Sequence, residues 1–407
     1  MRYSTALIVS CIMAVTAWAQ LDDSVWPMHC ANYATNRAVV QADLPGPSGR
    51  TMWTTTADLY GNPLNPGGGA SSEGGAVIDS EGYIYYKSNG GTATMVYKLD
   101  PVTGAVVAQA NLGAASWANR GAPVVGAEYL YVNNRIATDI QVLRKSDLTS
   151  VMTIADPNMP AQSGFQSVAL GSVPNLNGNL NIYGYSRALS AIYAFDSVTG
   201  ALMWQAPISP YASGFGLMGP FWVSEGKQVL SLLLGNGSGN PGGVPIAIRD
   251  NGDNTFTQLY TGELISVTFG VPGALSADGS RIYYLVRAYS EVDAPSALWA
   301  VSTTDGSVVW SVPPEELPVN SLQHASPAVV GNRVYVCGAQ GWVAAVDDLG
   351  GSYSVAWTLR ALHAYSFVSI SAANNATNGE TYLYASMYSQ SGKPHYLYAV
   401  RDYGTYG

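Results

Sequence analysis

The sequence predicts an all-β protein, a seven-bladed β-propeller of four-stranded antiparallel blades, and three observations carry that reading. A strand–turn–strand unit recurs along most of the chain at a period of about 50 residues, the range of propeller blades. The composition, with 44 Gly, 27 Tyr, 10 Trp and only 11% charged residues, suits many short strands joined by tight turns. The first repeat is preceded by an orphan strand and the last one lacks its fourth, so the two ends are complementary.

The unit is clearest at Ile192 to Gln205, IYAFDSVTGALMWQ. Apolar side chains on both faces mark a buried strand. Asp196 opens a turn, Gly200 supplies its φ > 0 position, and Asp196 and Thr199 can cap its free N–H groups. Trp204 on the following strand is sized to fill the space between stacked sheets. The same grammar runs through Val96 to Gln109 and Leu298 to Ser311, and in weaker form through Ile140 to Met152, Pro245 to Leu259 and Val343 to Trp357. A truncated copy ends the chain at Tyr396 to Tyr403. Aligned on Asp100, the equivalents are Arg144, Asp196, Arg249, Ser302, Asp347 and Arg401.

From the start of the chain, residues 1–19 read as a signal peptide: Arg2, an apolar core from Ala6 to Ala17, and Ala17-Trp18-Ala19 before the cut. The apolar run is too short to span a bilayer. A lipidated reading at Cys11 would leave the apolar Ile12 to Val15 behind the anchor, where polar residues are usual. Residues 20–49 form an N-terminal extension and 50–407 the propeller. Arg50 to Thr56, RTMWTTT, resembles an outer strand carrying its Trp. It is expected to pair with the strand ending near Tyr403 and so to join the two ends of the ring.

First strands are expected near Gly75–Ile78, Ala122–Val125, Gln166–Leu170, Leu217–Trp222, Pro272–Leu275, Ser326–Val330 and Val368–Ala372. Second strands follow at Tyr83–Tyr86, Tyr129–Val132, Leu180–Tyr185, Gln228–Leu234, Arg281–Val286, Arg333–Cys337 and Tyr382–Met387.

These repeats resemble the PQQ-like, or quinoprotein-type, β-propeller family. Its hallmark is an apolar-Tyr-Ala-apolar-Asp strand end, a Thr-Gly turn and an outer-strand Trp, matched closely at residues 192–204 and well at 96–107 and 298–310. Trp26-Pro27-Met28 is similar to the opening of many exported members. The architecture is of the same kind as WD40 and YVTN repeats. The resemblance implies either a quinoprotein dehydrogenase, holding pyrroloquinoline quinone and Ca²⁺ over the axis, or a non-catalytic scaffold such as the outer-membrane assembly lipoprotein. The larger dehydrogenases have eight blades, adjacent cysteines and a Glu/Asn/Asp calcium set. This chain has no adjacent cysteines, and its repeats make about seven blades. It resembles the scaffold type more, so no cofactor is expected.

Propeller ligands gather at the axial mouth, where loops lead into the first strands. Aligning those loops puts Glu73, Arg120 and His324 at equivalent places, with Gly270 in the fifth repeat and Trp117, Phe165, Phe215, Phe269 and Tyr365 as aromatic walls. His324 is the candidate proton-transfer group and Arg120 the candidate anion stabiliser, in a funnel that would hold a small molecule or peptide loop. His363 reads as a packed loop residue, and His29 and His395 suggest nothing. Asp250-Asn251-Gly252-Asp253-Asn254 offers calcium-like oxygens but no closing Glu and reads as a β-turn, so no metal is expected. Gly235 to Gly243 lacks the Lys-Ser/Thr of a phosphate cradle.

After signal removal two cysteines remain, Cys30 and Cys337, on neighbouring blades; export favours a disulfide, and two buried thiols are the alternative. Asn236 and Asn375 open glycosylation sequons. A net charge of −9 without a basic cluster argues against nucleic acid and anionic membrane surfaces. The expectation is a secreted or periplasmic, monomeric binding or scaffold module for a protein, peptide or carbohydrate. A quinone- or metal-dependent oxidoreductase using the same mouth is the alternative, and a carbohydrate-binding propeller the second.

Overall fold

A computed structural model describes residues 38–41, 55, 58–60, 76–88, 93–114, 122–134, 139–160, 164–186, 188–208, 218–235, 243–263, 272–287, 296–318, 326–338, 341–360, 366–375, 377–388 and 397–405. Every regular element among them is a strand, and the strands form seven four-stranded sheets. The protein is a seven-bladed propeller.

Blade one comprises Ala76–Ile78, Ile84–Ser88, Ala93–Leu99 and Val106–Ala114; blade two comprises Val124–Val125, Tyr129–Asn134, Asp139–Arg144 and Ser150–Ala155. Blade three comprises Phe165–Pro174, Leu180–Ser186, Ala191–Asp196 and Leu202–Pro207. Blade four comprises Met218–Ser224, Lys227–Gly235, Gly243–Asp250 and Phe256–Thr261. Blade five comprises Ala274–Leu275, Arg281–Arg287, Ser296–Ser302 and Val308–Val312. Blade six comprises Ala328–Val330, Arg333–Cys337, Trp342–Asp348 and Tyr353–Arg360. Each of these sheets runs antiparallel in chain order. The turns from first to second and third to fourth strands therefore share one face, here the turn face.

Blade seven is assembled differently. Ser366–Asn375, Thr381–Tyr388 and Leu397–Asp402 are antiparallel, and the N-terminal strand Ala38–Gln41 adds in parallel beside Ser366–Asn375. An N-terminal strand thus joins the C-terminal sheet at its inner edge, from within the stretch expected to precede the propeller. Of the expected outer strand Arg50–Thr56 only Thr55 lies among the described residues, and its hydroxyl donates to the Gly104 carbonyl of blade one at 2.6 Å.

The organising hairpin of blade three forms as its residues dictate. Ala191–Asp196 is buried throughout. Asp196 Oδ1 accepts from the amides of Val198 (3.0 Å) and Thr199 (2.9 Å), and Gly200 sits at φ 71°. Third and fourth strands share a recurrent bulge, which leaves Trp204 opposite Ala194, Trp310 opposite Ala300 and Trp357 opposite Ala345. All three alanines are fully buried and the indoles nearly so.

What locks one blade to the next is a tyrosine on the second strand. Tyr183 donates to Asp250 of blade four at 2.7 Å, Tyr283 to Asp348 of blade six at 2.5 Å, and Tyr335 to Asp402 of blade seven at 2.6 Å. The same Asp348 takes Arg281 (2.7 Å) and the Trp310 indole (3.1 Å), and Asp402 takes Arg333 (2.9 Å) and the Trp357 indole (2.9 Å). In each receptor Oδ1 also holds the amide two residues on, from Gly252, Gly350 and Gly404, at 2.8 Å. Buried polar groups are thereby satisfied across the gap, which ties each sheet to its neighbour in one register. Burial and then the hydrogen bond to the aspartate push the Tyr283 and Tyr335 phenols well above their ordinary range. Asp250 is therefore one of these receptors, set in the turn its sequence announced.

Candidate functional site

The gap between blades one and two keeps the tyrosine but exchanges the charges. Tyr85 donates to Asp79 of its own blade at 2.9 Å, and the place of the receptor aspartate in blade two is held by Lys145. Lys145 reaches back to Asp79 at 3.9 Å, while its carbonyl accepts from Lys98 at 3.1 Å. Lys98 lies over the Tyr83 ring, 3.9 Å from its centre. Two lysines, Lys98 on the third strand of blade one and Lys145 just after the third strand of blade two, sit here where the gaps after blades five and six have Arg against Asp.

One step further along the same second strand is Lys87, completely buried. Its ammonium donates to Asn133 Oδ1 of blade two at 2.8 Å, and the Asn133 amide donates to the Phe165 carbonyl of blade three at 2.9 Å. A buried lysine thus heads a polar chain that crosses three blades. Burial alone lowers its pKa to about 7, so near neutrality it exchanges between a charged and a neutral amine. Thr94, two residues from the strand partner of Lys87, is also fully buried, and its hydroxyl has no hydrogen-bond partner among the described residues. Lys87 in YYKS reads from sequence as an exposed strand residue. The one signal that marks it is its place two beyond Tyr85, in a column where the blades with a second-strand tyrosine at positions 131, 183, 283 and 335 carry the uncharged Asn133, Tyr185, Leu285 and Cys337.

Of the residues nominated for a mouth, Glu73, Arg120, His324, Gly270, Trp117, Phe215, Phe269 and Tyr365 lie outside the described residues. The strand ends that flank Arg120 and His324 (Ala114 and Val124, Val312 and Ala328) are on the face opposite the turns. Phe165 is described and is a core residue. It is fully buried, meets Tyr193 and Phe195 edge-on at 5.6 and 5.8 Å, and would be struck at 2.4 Å by a methyl group on Gly184. It is therefore a packing residue of blade three and presents no ring to a ligand.

Cys337 is buried on the second strand of blade six, and Cys30 lies outside the described residues, as does Asn236. Asn375 is 7% exposed, and its side-chain oxygen accepts the Thr377 amide at 2.9 Å, which makes it a turn residue poorly placed for an attached sugar. Among the described residues no group of three His, Cys, Asp or Glu side chains is placed to hold a metal ion. No helix there is long and apolar enough to cross a membrane.

A cavity of about 410 Å³ opens on the turn face between blades six and seven, lined by Arg333, Tyr335, Glu380, Arg401, Asp402 and Tyr403 among others. Its charges are paired: Asp402 with Arg333 and Tyr335, and Glu380 with Arg401 and the Tyr382 hydroxyl. The recess belongs to the blade junction.

Comparison with known proteins agrees with this architecture. Residues 188–402, just over half of the chain, match the PQQ-repeat family described as outer membrane protein assembly factor BamB. The chain belongs to that family. A search of curated proteins returns no match. Among solved structures, a europium-containing methanol dehydrogenase superposes with a TM-score of 0.51 at 12% identity, covering 89% of each chain. Sqt1 of Saccharomyces cerevisiae gives 0.56 at 11% identity, over 76% of this chain and 80% of its own. At these identities the two share the fold.

Proposed function

We propose that the mature chain is an exported, non-catalytic scaffold that binds a protein partner, as a peptide or loop, through the face opposite its turns. The observation that supports this most is the match of residues 188–402 to a family described as an assembly factor. That stretch contains the three aspartate receptors, Asp250, Asp348 and Asp402. Cross-blade locks of this kind fix the blades relative to one another, and a pre-organised framework loses little freedom on binding. Export to the periplasm or beyond follows from the signal-like residues 1–19 and agrees with the outer-membrane setting of the family description.

The scaffold reading takes no quinone cofactor, because the chain lacks the adjacent cysteines of the larger dehydrogenases that its repeats resemble. Phe165, one of the nominated aromatic walls, is turned into the core. No redox step is therefore derived. Native mass spectrometry with metal analysis tests the reading: the scaffold account expects the polypeptide mass alone. A stoichiometric quinone together with a divalent cation would overturn it in favour of the oxidoreductase.

A further inference from the structure

The recess between blades six and seven follows from the unequal lengths of two neighbouring turns. In blade six Val330 pairs with Arg333, so residues 331–332 alone reverse the chain. In blade seven Asn374 pairs with Thr381, and residues 375–380 make the equivalent turn. Its own side chains fix that longer turn. Asn375 Oδ1 accepts the Thr377 and Asn378 amides at 2.9 and 3.3 Å, Asn378 Oδ1 accepts the Glu380 amide at 2.9 Å, and Gly379 sits at φ 73°. A long turn beside a short one leaves a step, and the cavity of about 410 Å³ lies there, a size suited to a small molecule.

We infer that this recess is a binding site for a neutral sugar ring, with Tyr403 as the surface on which the ring stacks. The lock beneath it has nothing left to give. Arg333 spends Nε and Nη2 on Asp347 and Nη1 on Asp402 and the Gly404 carbonyl. Asp402 in turn is taken by Tyr335, the Trp357 indole and the Gly404 amide. Arg333 and Arg401 balance Glu380 and Asp402 along the wall, so a charged ligand would enter without a counter-charge.

What stays open is hydrogen-bonding capacity beside an aromatic ring. Arg401 donates to Glu380, which also accepts the Tyr382 hydroxyl at 2.8 Å. The Arg401 guanidinium lies 5.9 Å from the centre of the Tyr382 ring and 4.8 Å from that of Tyr403. Its other N–H groups, and those of the Asn378 carboxamide, have no partner among the described residues. Planar donors and acceptors held in place suit neighbouring hydroxyls, and Tyr403, 52% exposed, suits the C–H face of a pyranose.

The fold does not demand this ring. Two beyond Asp100 and its equivalents stand Val102, Ser146, Val198, Asn251, Thr304, Leu349 and Tyr403, so blade seven alone has an aromatic residue there. Blades four and five repeat the step, from turn 225–226 to turn 276–281, with Ser302 and Thr304 in the places of Arg401 and Tyr403. The site lies on the turn face, apart from the face proposed for a protein partner.

Saturation-transfer NMR of the mature protein, titrated with methyl pyranosides of glucose, galactose, mannose and N-acetylglucosamine and with their tetrasaccharides, tests the site. At least one should bind, with affinity falling about tenfold in Tyr403→Ala and in Asn378→Ala and kept in Tyr403→Phe. Binding of monosaccharides alone identifies a free sugar and tighter binding of a tetrasaccharide a glycan chain, and either supports the inference. Glucuronate should bind more weakly than glucose. A preference for glucuronate, no signal from any pyranoside, or binding unchanged in both Tyr403→Ala and Asn378→Ala would overturn it.

Discussion

The gaps after blades five and six and the gap after blade one are built on the same second-strand tyrosine, yet their charges run in opposite senses. Late in the ring, Arg281 and Arg333 approach Asp348 and Asp402 of the following blade. Early in the ring the acid is Asp79 of the leading blade, and the following blade supplies Lys145. The repeat therefore fixes a backbone column and a phenol, and leaves open which side carries the negative charge. The late gaps are tight, with an indole N–H added to the same carboxylate. The early gap is looser and carries three buried or half-buried lysines: Lys87, Lys98 and Lys145. The three aspartate receptors lie in the half that matches the family, and the three lysines lie in the other.

The sharpest way to break this comparison is to remove one receptor from each kind of gap. Asp402→Ala leaves Arg333, Tyr335 and the Trp357 indole without their shared acceptor and should cost about 3–5 kcal/mol, the range for breaking a buried pair. Asp79→Asn keeps the shape and most hydrogen bonds around Tyr85, and should cost about 1–2 kcal/mol. Denaturant midpoints with unchanged slopes would read both. Equal losses would mean that the two gaps do the same structural work.

A smaller effect separates gaps by packing alone. Gly306→Ala meets the Tyr260 ring at 2.5 Å and also forces a residue with a Cβ to φ 75°, so about 2–3 kcal/mol is expected. Gly200→Ala has the same backbone demand at φ 71° but its nearest neighbour, Ile154, is 3.5 Å away, so about 1 kcal/mol should suffice. Thermal melts of the two variants should differ in that order.

Lys87 marks the early half by its pH response. Its folded pKa of about 7 lies below the ordinary 10.5, so between these values the unfolded chain holds a proton that the folded chain has lost. Stability should therefore rise with pH across that window, by about 1.4 kcal/mol per unit where the proton difference is complete. Lys87→Met should flatten the rise while leaving the acid limb unchanged. A wild-type curve that is already flat from pH 7 to 10 would remove this role.

The smallest expected effect lies in blade three. Burial works to raise the Asp196 carboxyl, but Asn179, the Thr199 amide, Asn177 and Asn175 together hold it down to about 2. Because that lies below the ordinary 3.8, its contribution is full above pH 3.8 and is lost as pH falls towards 2. Asn179→Ala should raise the Asp196 pKa by less than about one unit, at a cost near 1 kcal/mol, as followed by carboxyl NMR titration.

The blades were legible in the sequence because buried third strands such as IYAFD and turns such as DSVTG state their structure locally. Arg333–Cys337 was expected at its observed bounds, and the other second strands within one or two residues. The receptor column was harder to read. Aligning on Asp100 picks Arg249, Asp347 and Arg401, whereas the acceptors are the next residues, Asp250, Asp348 and Asp402. A local turn motif sets the first column, while a tyrosine some 67 residues earlier selects the second. The Asp-x-Gly step at each acceptor, against Arg-x-Tyr on the blade before Asp348 and Asp402 and Asn-x-Tyr on the blade before Asp250, is the signal that would have found it. The Lys87 chain was invisible because its meaning depends on three blades meeting. The mouth residues Glu73, Arg120 and His324 rest on alignment of loops, whose sequences carry no comparable local rule.

The account's central claim, binding through the face opposite the turns, is tested most directly by photo-crosslinking in cells that export the protein. A photoreactive phenylalanine analogue would replace Arg120 or His324, whose flanking strand ends lie on that side, and Val102 or Leu176 among the turns, where the side chains are 74% and 68% exposed. The account predicts a discrete protein adduct from positions 120 and 324 and none from 102 and 176. Adducts from the turn positions alone, or none from either face while native mass spectrometry finds a bound quinone, would contradict it.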